Sequence, residues 1–150
     1  MKKINSLFNS LEGAYAPNTI RSYRSDFEHY ATWCHKYQYD PLDTHEDKFA
    51  DYILQMGESL TVATIQRRVA SLSSIFNLTK STNPTKEPVV ILTFKKLRRK
   101  FGKPQKQATP LTYDILTKLK DVCSNDIVGL RNKLLLQLGY ETMRRRSEIC

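Results

Sequence analysis

The sequence predicts an all-α fold. Three observations carry that prediction. Apolar residues recur three and four apart through most of the chain, which is the spacing of one helix face. Proline, threonine and acidic residues stand where helix starts need them, and glycines where helices stop. The 150 residues are 40% hydrophobic and 26% charged, a globular balance that argues against wholesale disorder.

The first helix is expected over 17–37, where Ile20, Tyr23, Phe27, Tyr30, Cys34 and Tyr37 form one face. Pro17 suits the first helical position, because its missing N–H would have been unpaired there anyway. Asp40-Pro41 ends the element, since a residue before proline is pushed out of the α region. A second helix is expected from Thr44, whose hydroxyl can cap the first turn, with Glu46 and Asp47 at the positive end of the dipole. Phe49, Ile53 and Met56 form its buried stripe and Gly57 its stop. The third helix runs from about Thr61 to Leu78. Ile65, Val69, Leu72 and Phe76 lie on one face; Thr64, Arg67, Arg68, Ser71 and Ser74 lie on or beside the other.

Residues 81–88, with two prolines, predict a loop. A fourth helix over 88–101 turns Val90, Phe94, Leu97 and Phe101 inward, although Val89-Val90-Ile91 also suits a short strand. Gly102 closes it, and 102–110, with Ala108 as its one apolar residue, predicts a basic extended linker. Thr112 caps a fifth helix in which Leu111 and Leu116 can form a hydrophobic staple. A sixth covers about 126–141, with Leu130, Leu134, Leu135 and Leu138 apolar. Two helices in about forty residues cannot close a core alone. The sequence therefore predicts a helical unit over 1–101, a linker over 102–110 and the beginning of a second domain over 111–150.

The charge is concentrated. The formal net charge is +9. Residues 59–106 hold eleven Lys/Arg against the single acid Glu87, whereas residues 40–58 hold six acids against Lys48. A solvated surface normally interleaves both signs, so a basic region this poor in acids points to a polyanion on one face. Other classes are disfavoured. No apolar run reaches the ~18 residues of a membrane span, and MKKINSLFNSLEG lacks the apolar core of a secretory signal. Cys34, Cys123 and Cys150 give neither a C-x-x-C pair nor a disulfide framework, which fits a reducing, cytoplasmic setting. His29, His35 and His45 show no metal-ligand spacing, so no metal or cofactor is expected. His29 reads as a solvent histidine and Trp33 as packing.

Three features carry chemistry. Thr64, Arg67, Ser71 and Ser74, with Arg68 beside them, stack along one polar helix face that could enter a major groove. KKLRRK (Lys95, Lys96, Arg98, Arg99, Lys100), followed by Lys103 and Lys106, suits phosphate tracking. GYETMRRRSEIC places three arginines before Ser147-Glu148, a set that suits an anion, with Glu148 able to brace a guanidinium.

In this order the parts resemble the tyrosine recombinases, the phage-type integrases. APNTIRSYRSDFEHYATWC resembles the opening helix of their core-binding domain, TVATIQRRVASLSSIF its groove-reading helix, and LRNKLLLQLGYETMRRRSEI the segment around the first catalytic arginine. Counting back from Ser147-Glu148 places that position on Arg145. There are departures: Met143-Arg144 stands where the family has Gly-Leu, and Ala16 where it has a capping serine. All eight tyrosines precede Arg145, so none occupies the family's nucleophile position.

The resemblance implies a four-helix, SAM-like core-binding bundle followed by the first two helices of a truncated recombinase catalytic domain. In the whole enzymes a tyrosine attacks the scissile phosphate without a metal, and the first arginine neutralises the phosphate as it becomes pentavalent. A buried carboxylate orients that arginine, Glu148 here. The implied partners are double-stranded DNA and other recombinase protomers, in the integration and recombination of a mobile element. The implied location is the cytoplasm, on the nucleoid. No membrane partner is expected. From another class, a stand-alone helical DNA-binding regulator or interaction module would carry the same basic surface without recombinase chemistry.

Overall fold

Five helices build the N-terminal part: α1 (Lys2–Ser10), α2 (Pro17–Lys36), α3 (Glu46–Met56), α4 (Val62–Thr79) and α5 (Pro88–Phe101). Two more follow, α6 (Tyr113–Asp121) and α7 (Ile127–Thr142). The computed structural model describes residues 2–102, 107–145 and 148, except the side chains of residues 2, 3 and 5. No β-strand occurs among the described residues. The chain divides into two compact units, Met1–Pro104 and Gln105–Cys150.

The N-terminal unit is held by aromatic packing. The buried Tyr30 of α2 meets Tyr52 and Phe49 of α3 at 5.0 and 5.4 Å between ring centroids, and Phe76 of α4 edge-on at 6.0 Å. Each such side chain contributes about 1.5–3 kcal/mol by burial, and such ring pairs add about 0.5–1.5 kcal/mol. Ile65, Leu72 and Ile75 of α4 and Val90 and Leu97 of α5 complete the core. Helix α1 adds Ile4 and Phe8, and Leu11 follows from the turn after it. The Arg24 guanidinium lies 4.7 Å over the Phe8 ring.

Several local expectations are corrected. Helix α3 is capped by His45, whose Nδ1 accepts from the Asp47 N–H at 3.4 Å. Thr44 is instead buried and donates to the Asp40 carbonyl at 2.6 Å. Gly57 does end α3, but with ordinary right-handed geometry. Its missing side chain matters for space, since a Cβ there would collide with Cδ1 of Leu97. Glycine thus lets α5 approach the end of α3. Residues 89–91 are helical, and a 3₁₀ turn, Pro84–Lys86, interrupts the preceding loop. Phe101 is 49% exposed rather than inward, because α5 ends there with Gly102 N–H on the Arg98 carbonyl at 2.8 Å.

In the C-terminal unit Thr112 caps α6 and Asp126 caps α7, accepting from Gly129 N–H at 2.7 Å. Leu116 is buried, whereas Leu111 is exposed, as are Leu130, Leu134 and Leu138. Leu116 and Gly129 are the only buried residues among those described in this unit.

Candidate nucleic-acid interface

Helix α4 is set by its own ends and its apolar stripe. Thr61 accepts from the Thr64 N–H at 3.3 Å, and the Thr61 and Thr64 hydroxyls bond each other at 2.9 Å. Ile65, Leu72, Ile75 and Phe76 point into the core. Of the polar residues picked out by sequence spacing, Arg67 lies on the solvent face, Thr64, Arg68 and Ser74 are half-buried, and Ser71 is not on it. Ser71 is buried and donates to the Arg67 carbonyl at 3.2 Å, so it offers no surface to a ligand. Ser74 donates to the Ala70 carbonyl at 3.1 Å. Hydroxyls inside a helix commonly turn back onto its own carbonyls in this way. The exposed residues of α4 are Ala63, Gln66, Arg67, Ala70, Asn77 and Leu78, with no acid among them.

Arg67 and Arg68 meet a counter-charge that the sequence reading missed. Nη1 and Nη2 of Arg67 bond the two oxygens of Asp26 on α2 at 2.6 and 2.9 Å. Nε of Arg68 lies 3.7 Å from the same carboxylate. The Asp26 side chain is 2% exposed, Arg68 is 18% exposed and Arg67 is 51% exposed. Two cations on one buried carboxylate remove most of the free charge expected at these positions. The signal was present, because Asp26 falls three residues after Tyr23 and four before Tyr30. A carboxylate on an inward face needs a buried partner.

Helix α5 holds its charges in the open. Lys95, Lys96, Arg98, Arg99 and Lys100 are exposed. Among the described residues none of them lies within 4.0 Å of a carboxylate. Arg98, Arg99 and Lys100 occupy the last turn, where cations favour the negative end of the helix dipole. Lys95 and Arg98 are brought together with Lys86 of the 3₁₀ turn and with Gln66, Ala70 and Ser73 of α4 around one groove of about 560 Å³. Its apolar lining includes Val69, Val90 and Phe94. Lys96, Arg99 and Lys100 lie outside that lining. Lys103 and Lys106 lie outside the described residues. Sequence reasoning missed Gln66, Ser73 and Lys86, whose meeting depends on how the 3₁₀ turn and α5 come to line one groove with α4.

A second, aromatic cleft lies between α2 and α3. Trp33 Nε1 donates to Gln55 Oε1 at 2.6 Å, and its ring sits 5.3 Å from that of Tyr52. His29 Nδ1 shares a hydrogen bond of 2.8 Å with the Tyr52 hydroxyl. Burial, reinforced by the Arg68 charge, pushes the His29 pKa below its ordinary 6.5, with Asp26 opposing. No group of three metal-ligating side chains occurs among the described residues.

At the C-terminal motif, Glu148 Oε2 accepts the Arg145 N–H at 3.2 Å, and its Oε1 lies 3.4 Å from Arg145 Nη1. Arg144 also approaches it at 3.9 Å. Arg145 is 85% exposed, and Glu148 is exposed rather than buried. Arg146 and Ser147 lie outside the described residues.

No protein-family model matches the chain. The sequence is 28% identical over 143 residues to a protein described as "Integrase/recombinase xerD homolog" from Selenomonas ruminantium. The match covers 93% of this chain and 42% of that protein. The chain is thus distantly similar to a member of the tyrosine recombinase/integrase family over most of its length, and spans about two-fifths of that relative. The all-helical fold is consistent with a core-binding type of domain. No helix among the described residues is long and apolar enough to cross a membrane.

Proposed function

We propose that these 150 residues act as the DNA-binding N-terminal part of a site-specific tyrosine recombinase or integrase. The observation that carries this reading is the acid-free outer strip of α4, which shares a groove with Lys86, Lys95 and Arg98. A helix with small outward residues can approach base edges, while flanking cations hold the phosphate rails. The distant integrase relative agrees with such a use. The ligand is duplex DNA, held chiefly through the Lys/Arg set of α5 with Lys103 and Lys106 beyond it. Thr64 and Ser74 lie at the margin of the surface.

In this reading residues 111–150 begin a catalytic domain, with Arg145 placed to neutralise a phosphate and Glu148 to hold its guanidinium. Arg145 is the one member of the family's catalytic set with a counterpart in these 150 residues, so strand cleavage is not expected of them alone. The test is binding of the chain to a mixed-sequence duplex across a salt series. Affinity should fall steeply with salt. Lys95→Ala with Arg98→Ala should flatten the log–log slope by about two, roughly one per lost phosphate contact. A salt-independent affinity, or an unchanged slope in that variant, overturns the reading.

A further inference from the structure

Asp26 is buried and must stay paired. An isolated carboxylate in an apolar interior is far costlier than one in water. Among the described residues it is the one carboxylate within 4.0 Å of Arg67 or Arg68. Arg67 makes both short bonds to it, yet half of its side chain remains in solvent on the outer strip of α4. Arg68 is more deeply buried and is poorly satisfied. Its Nε and Nη1 are buried without a hydrogen-bond partner among the described residues. At 3.7 Å from Asp26 its Nε is too far to bond, and an approach of roughly 0.9 Å would bring it to charge-assisted bonding distance.

From this geometry we infer that Asp26 is held by two arginines in turn. Arg67 occupies it while α4 is free, and Arg68 takes it over when Arg67 swings out to a phosphate. Arg67 leaving alone would strand a buried charge. Arg68 moving in keeps the carboxylate paired and satisfies N–H groups that are orphaned in the free protein. The departure of Arg67 is therefore partly offset from within. Arg67 is then a releasable phosphate ligand, and Arg68 is a positioning residue that never touches DNA. The DNA-driven half of this exchange rests on the proposed function; the takeover of Asp26 does not.

The test uses the full chain and reads two quantities. Without DNA, Arg67→Ala and Arg68→Met should each melt within a few degrees of wild type, because the remaining arginine covers Asp26. The double variant should lose at least about 5 °C beyond the sum of the two, and its failure to fold while both singles fold counts as that excess. With a mixed-sequence duplex near 0.1 M salt, Arg68→Met should weaken binding about as much as Arg67→Ala, on the order of tenfold for one phosphate contact. Asp26→Asn added to Arg68→Met should restore it, because Arg67 can leave a neutral amide without stranding a charge. Additive melting losses overturn the takeover. Wild-type affinity in Arg68→Met, or no rescue by Asp26→Asn in a folded protein, overturns the DNA-driven step. If the wild-type chain binds no duplex, the proposed function and that step fall together, and the melting comparison still decides the takeover.

Discussion

Helices α4 and α5 are both basic and line one groove, yet they hold their charges differently. Arg67 and Arg68 on α4 converge on a buried carboxylate from α2. Lys95 and Arg98 on α5 face the groove with no carboxylate beside them among the described residues. Arginines of the first kind are tied to another helix through that carboxylate in the free protein. Cations of the second kind are free for an external anion. Counting Lys and Arg along a sequence cannot separate the two, because the distinction depends on which acid the fold delivers to each cation.

The largest expected effect breaks the α4 pair. Removing both guanidiniums with Arg67→Ala and Arg68→Ala should destabilise the N-terminal unit by about 3–5 kcal/mol, the usual result of leaving a buried charge unpaired. The matching change on α5, Lys95→Ala with Arg98→Ala, should stay within about 0.5 kcal/mol. Denaturant unfolding of the two double variants measures the contrast, and similar losses in both would erase it. A middle-sized effect concerns how α5 is seated. Gly57→Ala places a methyl group against Leu97 and should lose about 1–3 kcal/mol through overpacking. It should also weaken DNA binding by shifting Lys95 and Arg98 relative to α4. A Gly57→Ala chain with unchanged melting and unchanged binding would show that α5 is not fixed by this contact.

The smallest effect is a pH dependence. The folded unit holds the His29 pKa below its ordinary 6.5. Near that pH the unfolded chain therefore binds more protons, and stability rises with pH. The His29 contribution is complete above about pH 6.5 and is lost as pH falls through the lower folded value. Melting temperatures of wild type and His29→Gln should diverge least at pH 5 and most at pH 7.5. Parallel curves would mean that Arg68 and burial do not act on His29 as described.

What was legible in the sequence was local. Pro17, Thr61, Pro88 and Thr112 mark helix starts within a residue of where they occur, because caps and prolines act on the next turn alone. What was not legible depended on packing. The 4-3 spacing of Ile4, Phe8 and Leu11 encodes the buried side of α1 and the turn after it, but an N-terminal segment read only for a targeting signal hides it. The polar face drawn through Thr64, Arg67, Ser71 and Ser74 sits too far round α4, because Ser71 is buried. At 100° per residue, a shift of one position moves the outer strip onto Gln66, Ala70 and Asn77. Glu148 lies 3.4 Å from Arg145, but the exposure of Glu148 was not foreseen, since burial of a carboxylate depends on neighbours distant in sequence.

Trp33, the one tryptophan of the chain, stands between α2 and α3 with its indole N–H on Gln55. Its emission is therefore a native optical reporter of that junction. Spectral shifts on heating will follow the docking of the two helices that carry Asp26 and Tyr52. Signals from α6 and α7 will need a probe placed there by design.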